Sequence, residues 1–223
     1  MAKPARKEVV RALLERSGRT YAEQLRINVE SNRPSELFRL LCASLLFGAR
    51  ISADIAVAAT TALRKQGWTT AAKMADATWA QRAKTLNEAG YARYDERTSG
   101  MLGDTAALML DRYRGDLRRL REDAERDPKR GRVLLKQFKG IGDVGVDIFF
   151  REVQVAWEEL VPFADRRALK SAERLGLPAD TKGLAKLVDR HDFARLIAAL
   201  VRTELAGDHD AVRRLAAGKA DQD

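Results

Sequence analysis

The sequence predicts an all-α protein. Apolar residues recur at helical spacing along nearly the whole chain. Helix-starting residues (Thr20, Ser52, Thr78, Asp127) stand at the heads of those patterns, and Gly18, Gly67 and Gly90 stand at their ends. No segment alternates as a strand, and no internal repeat is visible. About ten to twelve helices with short connections follow from this.

Residues 7–16 carry Val9, Val10, Leu13 and Leu14 and read as a helix ended near Ser17-Gly18. Thr20 caps a short second helix through Leu25, and Ser31-Asn32-Arg33-Pro34 is a break. Leu37 to Phe47 is nearly all apolar and is expected at the centre of the core. Ser52 caps a helix that runs to Gln66 and stops at Gly67. A short helix spans Thr69 to Ala75, and Thr78 caps another through Ala89, with Gly90 as its stop. Tyr91 to Tyr94 is a turn bearing two aromatics, which are candidates for stacking on a nucleic-acid base. Trp68, Trp79 and Trp157 read as core or interface residues.

A long helix runs from Thr98 to Tyr113, with Leu102, Ala106, Met109 and Leu110 on one stripe; Gly100 and Gly103 weaken its first turns. Asp116 to Arg126 mixes charges of both signs and reads as a solvated helix. Asp127-Pro128 is a cap followed by proline in the first turn. It opens a basic helix to Gln137, with Val133, Leu134 and Phe138 at helical spacing. Val146, Ile148, Phe149, Phe150, Val153 and Trp157 suit the buried face of the next helix. Asp180 or Thr181 caps a helix to Asp189, and Asp192 caps one to Leu205. A last helix around residues 211–215 fades into a polar tail.

The 223 residues suffice for one large domain or two small ones, and 45% hydrophobic content sustains a core. The 41 Lys+Arg against 32 Asp+Glu give a formal charge of +9, which suits a polyanionic partner; a merely solubilising surface is the plain alternative. The single Cys42 excludes an intramolecular disulfide and, in an apolar helical run, reads as a buried structural thiol. His191 and His209 are too few for a zinc site, and no metal or cofactor is expected. No signal peptide or membrane-length apolar run is visible, so a soluble, monomeric, cytoplasmic protein with no membrane partner is expected.

The stretch Phe138-Lys139-Gly140-Ile141-Gly142-Asp143-Val144-Gly145 joins two helical patterns. Two glycines flanking an apolar residue allow a turn that a Cβ would obstruct. The following helix then starts with free N–H groups, an end that attracts phosphate. Such a turn is equally a plain connection between helices. Lys129, Arg130 and Arg132 lie on the helix before it and are the better phosphate candidates; Arg118, Arg119 and Arg121 read as a solvated face. Asp165 follows in Val161-Pro162-Phe163-Ala164-Asp165-Arg166-Arg167, then Ala172-Glu173-Arg174-Leu175-Gly176-Leu177-Pro178. The plain role of Asp165 is a helix N-cap.

This ordered set resembles the helix-hairpin-helix (HhH-GPD) DNA glycosylase superfamily, the endonuclease III-like proteins. There a Leu-Pro-Gly-Val-Gly hairpin precedes a helix, an essential Asp follows, and an Arg-Leu-Gly-Leu type segment comes next. Asp165 and Arg174 are nine positions apart, as that pattern expects. The resemblance is specific from Phe138 to Leu177 and looser from about Pro34 to Pro178. It implies two helical domains with a cleft between them that Asp165 faces. Residues 34–153 would form a barrel-like domain containing the hairpin, and residues 1–33 with 154–223 the second. It also implies that Lys139, Gly140, Ile141, Gly142, Asp143, Val144 and Gly145 contact double-stranded DNA.

Removing a base breaks a glycosidic bond through an oxocarbenium-like state, which a carboxylate stabilises once the base has been flipped out. The resemblance gives Asp165 that role. Bifunctional relatives carry a lysine two residues after the second hairpin glycine, whose amine forms a Schiff base with the sugar. Val144 stands there, so lyase chemistry by this route is absent. Lys139 replaces the usual proline, and Lys170 lies a turn beyond Asp165. Relatives often place a Ser-Ala-Gln segment, whose glutamine fills the gap left by the flipped base, where this chain has Leu46-Phe47-Gly48-Ala49-Arg50; Ala49 occupies the glutamine's place, and Arg50 is the candidate substitute. One cysteine cannot supply the four thiolates of the iron–sulfur cluster that many relatives carry. Arg166-Arg167 replaces the Thr-His that often follows the Asp.

The expectation is a cluster-free, monofunctional DNA glycosylase of base-excision repair. Its partner is duplex DNA with a damaged base, an alkylated one favoured because a cationic base leaves readily. One alternative is a non-catalytic relative that binds damaged or distorted DNA. Another is an unrelated helical interaction protein in which the glycine turn is coincidental.

Overall fold

The computed structural model describes residues 5–220, and every regular element among them is a helix. The chain divides into two compact units, one of Gln24–Glu159 and one of Met1–Glu23 with Leu160–Asp223. The middle unit extends beyond the expected 34–153 span for a visible reason. Trp157 is buried, and its Nε1–H donates to Asn32 Oδ1 at 3.2 Å, so the residues on both flanks are drawn into one core.

The middle unit is built on α3 (Pro34–Phe47), the apolar run of the sequence. Leu37, Leu41 and Leu46 are completely buried. Burying one such side chain stabilises by about 1.5–3 kcal/mol. Helix α4 (Ala53–Lys65) is capped by Ser52, α5 (Ala71–Asp76) by Thr70, and α6 (Trp79–Leu86) by a reciprocal box. In that box Gln81 N donates to Thr78 Oγ1 at 3.2 Å, and Thr78 N donates to Gln81 Oε1 at 2.8 Å. The α-helix after Thr78 ends earlier than expected, at Leu86, and passes into a π-helical turn, Asn87–Tyr91. Gly90 stands in that turn at φ +85°.

Tyr91 is not a stacking surface. Its ring is 1% exposed, and its hydroxyl donates to Leu46 O at 3.1 Å, fastening the turn to α3. Helix α7 (Asp95–Tyr113) starts before Thr98 and continues through both of its glycines. One of them has a packing role. A Cβ at Gly103 would lie 2.6 Å from Arg82 Nη2. Arg82 is buried there, donating from Nε to Ser99 O at 3.0 Å and from Nη1 to Met74 O at 2.9 Å and to Ala77 O. The charged run Asp116 to Arg126 shortens to α8 (Leu117–Asp123), capped by Asp116. Helices α9 (Pro128–Leu135) and α10 (Asp143–Val153) complete the unit. Trp157 lies beyond the end of α10 rather than on its face.

The other unit gathers α1 (Arg6–Ser17), α11 (Arg166–Arg174) and α14 (His209–Ala220) around α13 (Arg190–Ala206). Leu13, Ala168, Ala172, Ile197, Leu200 and Val212 share its core. Thr20 and Glu23 form a second reciprocal cap, on α2 (Tyr21–Gln24). Asp180 caps α12 (Thr181–Ala185), which is shorter than the expected run to Asp189. Asp192 is not the cap of the next helix: α13 begins at Arg190, and Asp192 pairs with Arg195 at 2.6 Å within its first turn. Among the described residues, no helix is long and apolar enough to cross a membrane.

Candidate functional site

The hairpin turn is seated by its apolar residues. Phe138 is fully buried, 6.0 Å from the Tyr113 ring, and Ile141 is 4% exposed. Ile141 N donates to Phe138 O at 2.9 Å and closes the turn. The two glycines differ in what they permit. Gly140 sits at φ +91°, and a Cβ there would lie 2.6 Å from Met101 Sδ. It is required by both conformation and space. Gly142 has extended backbone, φ −96° and ψ −167°, and a Cβ there would meet nothing within 4 Å. The expectation that both glycines make room for the turn therefore holds for Gly140 alone. The absent side chain of Gly142 clears space outside the turn.

That space lies at the start of α10. Gly142 is the residue before the helix and offers no side chain to accept from its first N–H groups. The first backbone bond into the helix is Val146 N to Gly142 O, 3.0 Å. The N–H groups of Asp143, Val144 and Gly145 precede it and have no acceptor within the helix. Val144 is 53% exposed on this first turn. The end of α3 lies close by: a Cβ at Gly48 would be 3.9 Å from Gly145 Cα, and one at Gly145 would be 3.6 Å from Ser44 O. Arg50 is exposed and follows two residues after Gly48.

The basic residues around the turn are paired with carboxylates that sequence reasoning overlooked. Lys139 Nζ lies 2.9 Å from Asp104, and Arg130 lies 2.6 Å from Glu125. Arg132 reaches Asp147 at 2.6 Å and Asp143 at 3.7 Å, and its guanidinium lies 5.4 Å over the Phe150 ring. Lys136 Nζ is 3.0 Å from Asp143. The hydrogen bond from Lys136, then the charges of Lys136 and Arg132, hold the Asp143 carboxyl below the usual carboxylate range. Of the five candidate cations, Arg130, Arg132 and Lys139 are ion-paired, and Lys129 and Arg50 are not, within the described residues. Lys136 and Asp143 are close in sequence across the turn and could have been paired by eye; Asp104 is 35 residues from Lys139 and could not.

Asp165 is 7% exposed and is the N-cap of α11, its Oδ1 accepting from Ala168 N at 2.9 Å. Arg166 and Arg167 are exposed on the first turn. The far end of α11 is anchored on Glu204 of α13. Lys170 Nζ is 2.9 Å from Glu204, Arg174 is 3.2 Å away, and the buried His209 Nε2 is 3.1 Å from both Glu204 Oε2 and Ser171 Oγ. The Lys170 hydrogen bond leads in holding Glu204 below its ordinary range. Burial, then the Arg174 charge, push the His209 imidazole down. Lys170 is thus engaged by a carboxylate partner.

The iron–sulfur cluster of endonuclease III-like proteins does not fit these residues. Cys42 is the sole cysteine and is buried in α3, where burial pushes its thiol up to about 12. Among the described residues no group of three or more His, Cys, Asp or Glu side chains is arranged to hold a metal ion.

No family model matches the chain, and no curated protein matches it. Among solved structures, the chain is similar to an endonuclease III trapped as a covalent intermediate with DNA, an estranged-adenine complex. The TM-score is 0.49 at 18% identity, over 89% of this chain and 86% of that one.

Proposed function

We propose that this chain is a monofunctional, cluster-free DNA glycosylase of the helix-hairpin-helix superfamily, removing a damaged base during base-excision repair. The observation that carries this reading is the start of α10. There a Gly-Ile-Gly turn leads into helix N–H groups that no side chain caps. Backbone N–H groups from Gly140 to Gly145 hold a DNA phosphate. Arg50, Lys129, Arg130, Arg132 and Lys139 add positive charge around it.

Asp165 supplies the chemistry. Its carboxylate stabilises positive charge as the bond from the sugar C1′ to the base nitrogen breaks. The base departs with the bonding electron pair, and water adds to C1′ with loss of a proton. A cationic alkylated base leaves as a neutral molecule, which makes it the favoured substrate. Val144 offers no amine, so the product is an intact abasic site rather than a cleaved strand. The protein works as a cytoplasmic monomer on duplex DNA.

A second reading, a non-catalytic protein that binds distorted DNA, is favoured by the capping bond of Asp165, which needs no chemistry to explain it. Duplex oligonucleotides carrying single defined lesions separate the two. Release of at least one base, leaving an alkali-labile site, is expected, with no borohydride-trapped adduct on abasic DNA. Binding of distorted duplex without release from any member of a broad lesion panel would overturn the enzymatic reading in favour of the binder.

A further inference from the structure

The hairpin holds its own anions. Asp143 stands on the first turn of α10, where an incoming phosphate would sit, and Asp147 is one turn further along. Between them they engage Lys136 at 3.0 Å and Arg132 at 2.6 Å and 3.7 Å. Asp104 engages Lys139 from α7 at 2.9 Å. The net charge of these six side chains is zero: three cations and three carboxylates. A chain with a formal charge of +9 therefore has three of the cations beside its candidate phosphate site neutralised by carboxylates.

From this arrangement we infer that Asp143 and Asp147 are resident phosphate substitutes, holding Lys136 and Arg132 until a DNA phosphate displaces them. The inference rests on the reading of the hairpin as the DNA site. It identifies carboxylates that restrain binding to duplex DNA rather than further DNA contacts. The exposed Lys136–Asp143 pair is of the weak, readily exchanged kind, whereas Arg132–Asp147 is half-buried and exchanges second. A DNA phosphodiester carries the same single charge as a carboxylate, so it displaces Asp143 only because the backbone N–H groups at the start of α10 engage it as well. A duplex that seats its phosphate poorly gains no compensation for breaking the pairs. Arg132 is steadied against Phe150 throughout and keeps its position as its partner changes.

The measurement is affinity for an undamaged duplex across a salt series, on folded full-length variants. Asp143→Asn is expected to tighten binding by roughly three- to tenfold at low salt. Asp143→Asn with Asp147→Asn is expected to steepen the dependence of log K on log salt by about one to two, because freed cations now neutralise phosphates. Lys136→Gln should change affinity by less than about twofold in the parent yet weaken binding several-fold in the Asp143→Asn background. An unchanged affinity and salt slope in the carboxylate variants would overturn the inference, as would an equal loss from Lys136→Gln in both backgrounds. Gly142→Val is the control for the underlying reading. If it binds as tightly as the parent, the hairpin is not the DNA site and both fall; if it binds weakly while Asp143→Asn is unchanged, only the inference falls.

Discussion

Two helix starts in this molecule are built in opposite ways. Helix α11 begins with Asp165, whose carboxylate accepts from Ala168 N and fills the position where an external anion would bind. Helix α10 begins with Gly142, which has no side chain and no neighbour within 4 Å of where one would start. Both ends carry the same partial positive charge from the backbone. One satisfies it internally; the other leaves it for a partner. Under the proposed function the contrast separates two chemical duties: the open end is the one suited to an anion, and the capped end presents a fixed carboxylate.

The largest test of this contrast is Asp165→Asn. An amide keeps the acceptor that caps α11, so the fold should survive, while the negative charge is lost. Base release is expected to fall about a hundredfold or more with lesion binding nearly unchanged, measured by single-turnover excision and duplex binding. Equal excision by the two proteins would make Asp165 a cap and nothing else.

Gly140→Ala tests the turn itself. Positive φ and the nearby Met101 sulfur both oppose a methyl group, and the loss is expected at about 1–3 kcal/mol in chemical denaturation. Gly142→Ala should stay close to the parent, since poorer capping and a stiffer unfolded chain offset one another at about 0.5–1 kcal/mol each. Similar losses at both positions would erase the distinction between them.

Transplanting the cap sharpens the comparison. Gly142→Asp gives α10 the arrangement of α11. It should raise helix stability by a few tenths of a kcal/mol and lower duplex affinity by about tenfold, because the new carboxylate occupies the phosphate position. A melting curve and a binding isotherm on the same variant check the opposed signs.

The smallest effect concerns the other end of α11. Burial and then the Arg174 charge lower the His209 imidazole's pKa, so it takes up a proton more readily when the chain unfolds. Its contribution to stability is fully present above the ordinary histidine value of 6.5 and is lost as pH falls below it. Glu204, itself depressed, keeps its charge until below the ordinary carboxylate range. Melting temperature should therefore decline between pH 7 and pH 5 (about the span in which a histidine titrates), and His209→Gln should flatten that decline.

Local signals in the sequence were reliable where the physics is local. Ser52, Thr78, Asp127, Asp165 and Asp180 all cap as their spacing suggests, because a cap needs only the next three residues. Asp192 misled because Asp is common both as a cap and in a first turn, and only the backbone separates the two. Tyr91 was misjudged because a glycine-ended turn suggests exposure, whereas its hydroxyl reaches a carbonyl 45 residues away. The candidate site was legible as a turn and a carboxylate. Its charge balance was not, since Asp104 and Asp147 meet their cations only through the packing of α7 and α10.

Arg82 carries a consequence for how this chain can vary. Its guanidinium satisfies three backbone carbonyls from inside the middle unit, and it fits only because residue 103 ends at Cα. A larger residue at 103 would evict the guanidinium, and a shorter one at 82 would orphan the carbonyls of Met74, Ala77 and Ser99. The two positions are thus coupled sterically. Among descendants of this sequence, substitution at either should be accompanied by change at the other, and a lineage that loses the arginine gains freedom to rebuild the middle of α7 with better helix formers than glycine.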